Sequence, residues 1–222
     1  MRAFVSLELP LAVKKEIGEI QQKLKATGLQ ARWVKSEIVH LTIAFLGSAT
    51  PNKLDIVSNI LKEVANQTKT PPARRPGKSS SVAVLVASGD RRPPTGGLAA
   101  VGVKPIKLKL SQLGCFPHPK KARIIFIELC GELAKLNTVA IKIRKQLKKQ
   151  NVWFDKKPFS AHLTLARIKK KQNLTSLVKK IKIKQVEFTS SQLTLTKSQL
   201  TATGPIYTQI KTIALTTQPE PS

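Results

Sequence analysis

Two copies of one short motif contain the residues of this chain that are best suited to moving protons. Each copy reads His-Leu-Thr, at residues 40–42 and at residues 162–164, and together they hold two of the three histidines. Alternate side chains of a β-strand share a face, so each strand presents an imidazole and a hydroxyl about 7 Å apart and turns its leucine away. Two such strands facing each other would surround one small group with four polar side chains.

This set of side chains matches what the opening of a cyclic phosphodiester requires. One base must take a proton from water, and one acid must protonate the departing ribose oxygen. Histidine titrates near neutral pH, so one ring can be neutral while the other is protonated. Threonine hydroxyls can bind the non-bridging oxygens, where charge builds up in the transition state. We therefore predict His40 and His162 as the catalytic pair and Thr42 and Thr164 as phosphate ligands, with no metal and no other cofactor.

The composition indicates a polyanionic partner and a reducing compartment. Lysine and arginine number 39 against 12 acidic residues, a formal net charge of +27 in 222 residues. Such an excess speeds the encounter with polyanions, so we expect RNA or a nucleotide as partner. No apolar run approaches the roughly 18 residues of a membrane span. Cys115 and Cys130 are too few for a disulfide framework, which predicts a soluble protein of the cytoplasm.

Apolar periodicity predicts strands and helices on both sides of an irregular segment. Strands are predicted at residues 3–8, 38–45, 106–113, 122–129, 159–168, 186–197 and 206–214. Helices are predicted at residues 11–25, 133–147 and 174–182, and from Thr50-Pro51, which has the composition of a helix start. The segment between the halves, about residues 70–105, is rich in proline, glycine and arginine and is interpreted as an insertion.

Without the insertion, the two halves of the chain follow the same pattern. Each has a strand, a helix, a strand with the His-Leu-Thr motif and a further helix. This weak internal duplication predicts an α+β protein with two similar lobes, each an antiparallel sheet with helices outside, around a central cleft. We expect one bilobal domain over residues 1–222.

The paired motifs resemble those of the 2H phosphoesterase superfamily, and in particular its RNA 2′,3′-cyclic phosphodiesterases, also called 2′-5′ RNA ligases. Further segments are similar to that family, namely residues 1–5, 9–10, 32–34, 45–47, 114–117, 158–159 and 204–207. The similarity covers nearly the whole chain outside the insertion.

The resemblance implies a role for each motif residue. It implies hydrolysis of the cyclic phosphate to a 2′-phosphate by the two histidines. We take His40 as proton donor and His162 as proton acceptor, an order that the sequence alone does not fix. Thr42 and Thr164 would bind the phosphate. Arg167, which follows the second motif, would support them.

Four aromatic residues near the motifs have open interpretations. Phe45 and Phe159 are candidates for stacking the terminal base, and a place in the core is equally compatible with their positions. Trp33 and Trp153 are each followed by an apolar residue, which favours packing in the core or between the lobes.

Several functions agree with these residues. The leading hypothesis is hydrolysis of RNA 2′,3′-cyclic phosphate ends by a monomer, with reversible 2′-5′ RNA ligation as a related reaction and tRNA halves among the candidate substrates. One alternative is a non-catalytic RNA- or nucleotide-binding module, and another is a phosphodiesterase for small cyclic nucleotides. Cys115 and His118 have a spacing known from zinc sites, but two further ligands are missing nearby, so we expect no zinc.

Overall fold

The structure is a computed structural model that describes residues 1–66, 103–201 and 204–215. Its strands are β1 (Arg2–Leu7), β2 (Ala31–Trp33), β3 (Leu41–Ser48), β4 (Ile106–Phe116), β5 (Ala122–Gly131), β6 (His162–Gln172), β7 (Glu187–Ser190), β8 (Gln192–Thr201) and β9 (Gly204–Ala214). Its α-helices are α1 (Leu11–Lys25), α2 (Pro51–Ala65), α3 (Leu133–Lys149) and α4 (Thr175–Lys180). None of these helices is long and apolar enough to cross a membrane. Most of the predicted insertion lies outside the described residues.

The strands form two antiparallel sheets, which confirms the predicted α+β fold with two lobes. The first sheet has the strand order β3-β1-β8-β9, and the second has the order β2-β6-β5-β4-β7. One face of each sheet contributes to the hydrophobic core. In β1, for example, Ala3, Val5 and Leu7 belong to this core, so Phe4 and Ser6 point to the opposite face.

The two lobes are not the two halves of the chain. β8 and β9, near the C-terminal end, complete the sheet that contains β1 and β3. β2, from the N-terminal part, pairs with β6 in the other sheet, with Ala31 opposite Ile168. The chain therefore passes between the lobes, and each sheet contains strands from both the N-terminal and the C-terminal part of the sequence.

Helix α2 shows why the helices begin where the sequence predicts. The Thr50 hydroxyl accepts a hydrogen bond from the Lys53 amide at 3.4 Å. Pro51 occupies the first helical position, where a missing N–H is tolerated because that group has no partner within the helix. Val57 and Leu61 lie one turn apart and are completely buried. The same spacing of buried residues holds α1 and α3 against the core.

Three strand predictions were wrong in detail. The segment 186–197 is not one strand, since it breaks at Ser191 and its two parts, β7 and β8, belong to different sheets. The strands with the motifs begin later than predicted, at Leu41 and His162, and a 3₁₀ turn at Ser36–Ile38 precedes the first. β2 was not predicted, because three residues are too few to show a period.

Candidate active site

His40 lies immediately before β3 and is held from three directions. Its Nδ1 lies 2.9 Å from the carbonyl oxygen of Ile38. A carbonyl oxygen only accepts hydrogen bonds, so Nδ1 carries the hydrogen of the neutral ring, and Nε2 keeps the lone pair. The imidazole stacks on Phe4 with a centroid distance of 4.3 Å and meets Tyr207 edge-on at 5.3 Å. Nε2 is therefore the nitrogen that can exchange a proton with a bound molecule.

His162, the first residue of β6, repeats this arrangement in the other lobe. Its Nδ1 lies 2.8 Å from the carbonyl oxygen of Ser160, again two residues earlier in the chain. Phe116 and Phe126 meet its imidazole edge-on, with centroid distances of 5.0 and 5.3 Å. The same tautomer follows, with a hydrogen on Nδ1 and a lone pair on Nε2. Both histidines thus have the oriented form that general acid–base chemistry needs.

Strand β3 carries one extra residue after its motif. Ser6 of β1 pairs with Thr42, and Phe4 pairs with Phe45, so two steps along β1 correspond to three along β3. Cross-strand partners share a face, and so do Phe4 and Ser6. The bulge therefore brings Phe45 onto the same face as Thr42, where regular alternation would turn it away.

Strand β6 has the same bulge at the same place. Phe126 of β5 pairs with Thr164, and Ile124 pairs with Arg167. By the same argument, Arg167 lies on the face that carries Thr164. Both motif strands thus present three residues to one face, a histidine, a threonine and the residue three positions beyond the threonine.

Arg167 and Tyr207 come from different sheets and interact across the cleft. Burial raises the pKa of the Tyr207 hydroxyl, and the guanidinium groups of Arg167 and Arg2 oppose this rise. Tyr207 lies on β9 of the first sheet and Arg167 on β6 of the second. The charge of Arg167 therefore acts in the space between the lobes, near Tyr207, whose ring contacts His40.

The two histidines differ in their charged neighbours. Burial is the largest cause that lowers the pKa of each imidazole, and the hydrogen bond to a carbonyl oxygen opposes it. At His40 the Glu8 carboxylate also raises the pKa, whereas the Lys14 ammonium and His162 lower it. At His162 the Arg167 guanidinium lowers the pKa. The carboxylate beside His40 favours its protonated form, and the cation beside His162 favours its neutral form.

A pocket with about 150 Å³ of free volume opens beside His40. Within it, the Glu8 carboxylate and the Lys14 ammonium form an ion pair at 3.6 Å. Thr196 also lines it, and its buried hydroxyl has no hydrogen-bond partner among the described residues. The pocket therefore offers polar groups and space next to the ring. It is lined by Phe4, Glu8, Lys14, Glu37, Ile38, Val39, His40, Thr196, Tyr207 and Gln209.

The aromatic residues divide between the cleft and the core. Phe45 does not belong to the hydrophobic core cluster, whereas Phe159 packs against that cluster. Trp153 was predicted to pack in the core or between the lobes. The core is wrong, because its side chain is 58% exposed, while its ring does lie against Gly47 of β3. Phe4 and Phe126 are buried beside the two histidines but do not belong to the main core cluster. Trp33, Phe154, Phe159 and Phe188 lie in that cluster or against it.

The structure gathers most of the predicted site residues and adds others. Six of the predicted residues lie at positions that face the cleft, namely His40, Thr42, Phe45, His162, Thr164 and Arg167. Neither motif threonine is fully buried. The sequence argument missed Phe4, Tyr207 and the Glu8 carboxylate. Phe4 and Tyr207 could have been found, because both belong to segments that resemble the family.

No metal-binding group is evident in the described parts of the chain. Within residues 1–66, 103–201 and 204–215, no three side chains of the types His, Cys, Asp and Glu come together in a way that could hold an ion. Burial raises the pKa of the Cys115 thiol to about 11, which keeps it protonated at neutral pH. A protonated thiol is a poor metal ligand.

A fold of two antiparallel sheets, with one His-x-Thr motif per sheet facing a cleft, defines a 2H phosphoesterase. Comparison with protein families agrees, since the family described as LigT like Phosphoesterase matches residues 7–77 and 127–207. The chain therefore belongs to the LigT-like phosphoesterases, which confirms the resemblance seen in the motifs.

Curated relatives match over nearly their whole length. The RNA 2′,3′-cyclic phosphodiesterase of Methanocaldococcus jannaschii is 29% identical over 218 residues, 95% of this chain and 99% of the relative. The protein of the same name from Aquifex aeolicus is 26% identical over 221 residues, which make up 95% of this chain and 95% of the relative.

Solved structures share the fold. The protein TT0787 of Thermus thermophilus has a TM-score of 0.68 at 21% identity. The match covers 97% of this chain and 98% of the TT0787 chain. Escherichia coli LigT in its apo form has a TM-score of 0.66 at 19% identity, with the same coverage.

Proposed function

We propose that this chain hydrolyses 2′,3′-cyclic phosphates at RNA ends to 2′-phosphates, with His40 and His162 as its catalytic pair. The observation that carries the proposal is the matched orientation of the two rings. In each lobe Nδ1 bonds a carbonyl oxygen two residues earlier, which leaves Nε2 for proton transfer. Curated relatives named RNA 2′,3′-cyclic phosphodiesterase support the choice of substrate.

The charged neighbours support one order of roles. Nε2 of His162 accepts a proton from the attacking water while the water oxygen bonds to phosphorus. The bond between phosphorus and the ribose 3′-oxygen breaks, and His40 gives its proton to that oxygen. Arg167 favours the neutral base, and Glu8 favours the protonated acid. The products are a 2′-phosphate and a 3′-hydroxyl.

The remaining motif residues hold the substrate in this scheme. Thr42 and Thr164 donate hydrogen bonds to the non-bridging phosphate oxygens, one from each lobe. Arg167 lies on the same face as Thr164 and balances the charge that builds up on the phosphate. Phe45 lies on the same face as Thr42, outside the core, and stacks the terminal base.

The net charge of +27 supports an RNA strand over a small nucleotide, because only a strand offers many phosphates to neutralise. Cleaved RNAs such as tRNA halves fit this substrate class. In 2′-5′ ligation the 5′-hydroxyl of an RNA would take the place of water, so that its oxygen bonds to phosphorus as the bond to the 3′-oxygen breaks. We further propose that the enzyme acts as a monomer in the cytoplasm. Both cysteines are unpaired, in keeping with a reducing compartment.

The experiment that tests the proposal offers a short oligoribonucleotide ending in a 2′,3′-cyclic phosphate, in the presence of EDTA. We expect turnover to a 2′-phosphate, identified by its resistance to an enzyme specific for 3′-phosphates. Tight binding without turnover would contradict the proposal and favour the non-catalytic binding module. Turnover of cyclic mononucleotides with equal kcat/KM would favour the small-nucleotide phosphodiesterase instead.

A further inference from the structure

An arginine of the edge strand β2 lies directly opposite Arg167. Arg32 and Arg167 are cross-strand partners in the pairing of β2 with β6. Ala31 and Trp33, the neighbours of Arg32 on β2, pack against the hydrophobic core. Side chains alternate along a strand, so Arg32 points away from that core. Cross-strand partners share a face, and Arg32 therefore joins Arg167 on the face that borders the cleft.

A buried glutamine holds β2 in this register. The side-chain amide of Gln21 donates to the carbonyl oxygen of Val34 at 2.6 Å and to that of Leu165 at 3.0 Å. The backbone amide of Val34 also donates to the carbonyl oxygen of Leu165, at 2.9 Å. Gln21 is only 4% exposed, and hydrogen bonds in such surroundings are strong. The backbone of Arg32 is therefore fixed beside Arg167 before any ligand binds.

No acidic group of the described residues neutralises these two cations. Both side chains are exposed, and neither takes part in an ion pair within that part of the chain. The sequence has no aspartate or glutamate at residues 20–36 or 156–186, the segments that surround Arg32 and Arg167. Like charges directly opposite each other destabilise a sheet. An anionic ligand in the cleft would relieve this repulsion.

The position of Arg32 indicates which phosphate of an RNA it would meet. Arg167 lies on the face that carries Thr164, and its charge lowers the pKa of His162. Arg167 therefore acts on the cyclic phosphate itself. Arg32 lies one strand farther out, about 5 Å away, at the edge of the second sheet. A strand that leaves the cleft across this edge passes over Arg32.

We propose that Arg32 binds the phosphodiester that joins the terminal nucleotide to the preceding one, and that it makes the enzyme prefer an RNA strand to a cyclic mononucleotide. The inference rests on the proposed function and adds a substrate contact to it. The Arg32 guanidinium donates paired hydrogen bonds to the non-bridging oxygens of this phosphodiester, while Arg167 stays with the cyclic phosphate. Contacts to the phosphate backbone carry no base information, so the preference extends to RNA of any sequence.

The kinetic test uses three substrates that differ at this one phosphate. They are a nucleoside 2′,3′-cyclic phosphate, a dinucleotide that ends in the same cyclic phosphate, and that dinucleotide with a neutral methylphosphonate linkage. For Arg32→Gln we expect kcat/KM on the normal dinucleotide to fall roughly 5- to 30-fold, because a charged hydrogen bond is lost at an exposed site. The other two substrates have no charged linkage, so their kcat/KM should change by less than about twofold.

Two further variants define the contact. Arg32→Lys keeps the charge but loses the planar fork of the guanidinium, so it should recover only part of the loss. Lys23→Gln removes one charge from the exposed surface of α1 and should leave all three rates unchanged. The inference would be overturned if Arg32→Gln caused no loss on the normal dinucleotide, or an equal loss on either of the other two substrates.

A binding test needs no turnover. In a His40→Ala background, the Kd of the normal dinucleotide is measured at several salt concentrations. Each phosphate contact on a single strand contributes about 0.7 to the slope of log Kd against log salt, so Arg32→Gln should reduce the slope by about that amount. An unchanged slope would overturn the inference. If the wild type hydrolysed none of the three substrates, the proposed function would fail, while a reduced slope would still support the phosphate contact.

Discussion

Phe45 of β3 and Arg167 of β6 occupy the same position in the two lobes, three residues beyond the motif threonine, and a one-residue bulge turns each onto the cleft face. The bulges are equal, but the side chains are not. One lobe presents an aromatic ring at this position and the other a guanidinium. The cleft therefore has a side suited to a base and a side suited to phosphate, although the backbones of its two motif strands are alike.

Glu8→Gln tests the role of His40 as the acid. The carboxylate raises the pKa of His40, so its loss should lower that pKa. An acid must be protonated to act, so the alkaline limb of the pH profile of kcat/KM should move to lower pH. The profile is measured by initial rates on a short oligoribonucleotide that ends in a 2′,3′-cyclic phosphate.

The control for this change is Glu19→Gln, an exposed carboxylate on α1 that should leave both limbs in place. A shift of the acidic limb alone in Glu8→Gln would contradict the assignment, since it would make His40 the base.

Arg167→Gln tests the proposed role of His162 as the base. The guanidinium lowers the pKa of His162, so its loss should raise that pKa. A base must be neutral to act, and the acidic limb of the pH profile should therefore move to higher pH. Loss of a charged hydrogen bond to phosphate should also reduce kcat/KM about 10- to 100-fold.

Arg123→Gln removes the same charge from an exposed position of β5 and serves as the matched control. If it reproduced the full effect of Arg167→Gln, the long-range field of the protein would be the cause, and the specific role of Arg167 would be wrong.

Gly114→Ala should disturb the position of His162, the proposed base. Gly114 of β4 pairs with Phe126, and an added Cβ atom would overlap the Phe126 ring and lie 3.0 Å from Oε1 of Glu128. Phe126 contacts His162, so its displacement should lower kcat several-fold and destabilise the fold by about 1–3 kcal/mol. Thermal unfolding and initial rates measure the two effects.

Two further variants separate crowding from a general effect of the substitution. Gly18→Ala adds a Cβ atom in α1 with only ordinary contacts, and it should stabilise the protein. Phe126→Leu in the Gly114→Ala background should recover much of the lost stability. Unchanged melting temperature and activity in Gly114→Ala would show that the packing around His162 does not depend on Gly114.

The elements of this fold could be predicted from the sequence because their signals are local. Helix α1 was predicted with its observed bounds, and Thr50 and Pro51 marked the start of α2. The pairing of the strands was not predictable in this way. Whether Ala31 pairs with β6, or β8 with β1, depends on contacts between residues that are far apart in the chain.

Residue type alone points to the two histidines of the candidate site, whereas the placement of other side chains depends on geometry that the sequence does not show. Two histidines in matched motifs stand out from the sequence by themselves. A period of two residues, however, predicts that Phe45 and Thr42 lie on different faces of β3. Only the bulge brings them onto the same face. The contact of the Trp153 ring with Gly47, where no Cβ atom would fit, is likewise not visible in any apolar pattern.

The most direct test of the two-histidine mechanism measures hydrolysis of the cyclic phosphate by His40→Ala, His162→Ala and the double variant. His118→Ala, the third histidine and an exposed one, is the control. We predict that each single substitution reduces kcat about 10²- to 10⁴-fold, that the double variant loses little more, and that His118→Ala is unaffected. A wild-type rate in either His40→Ala or His162→Ala, with the protein folded, would contradict the mechanism.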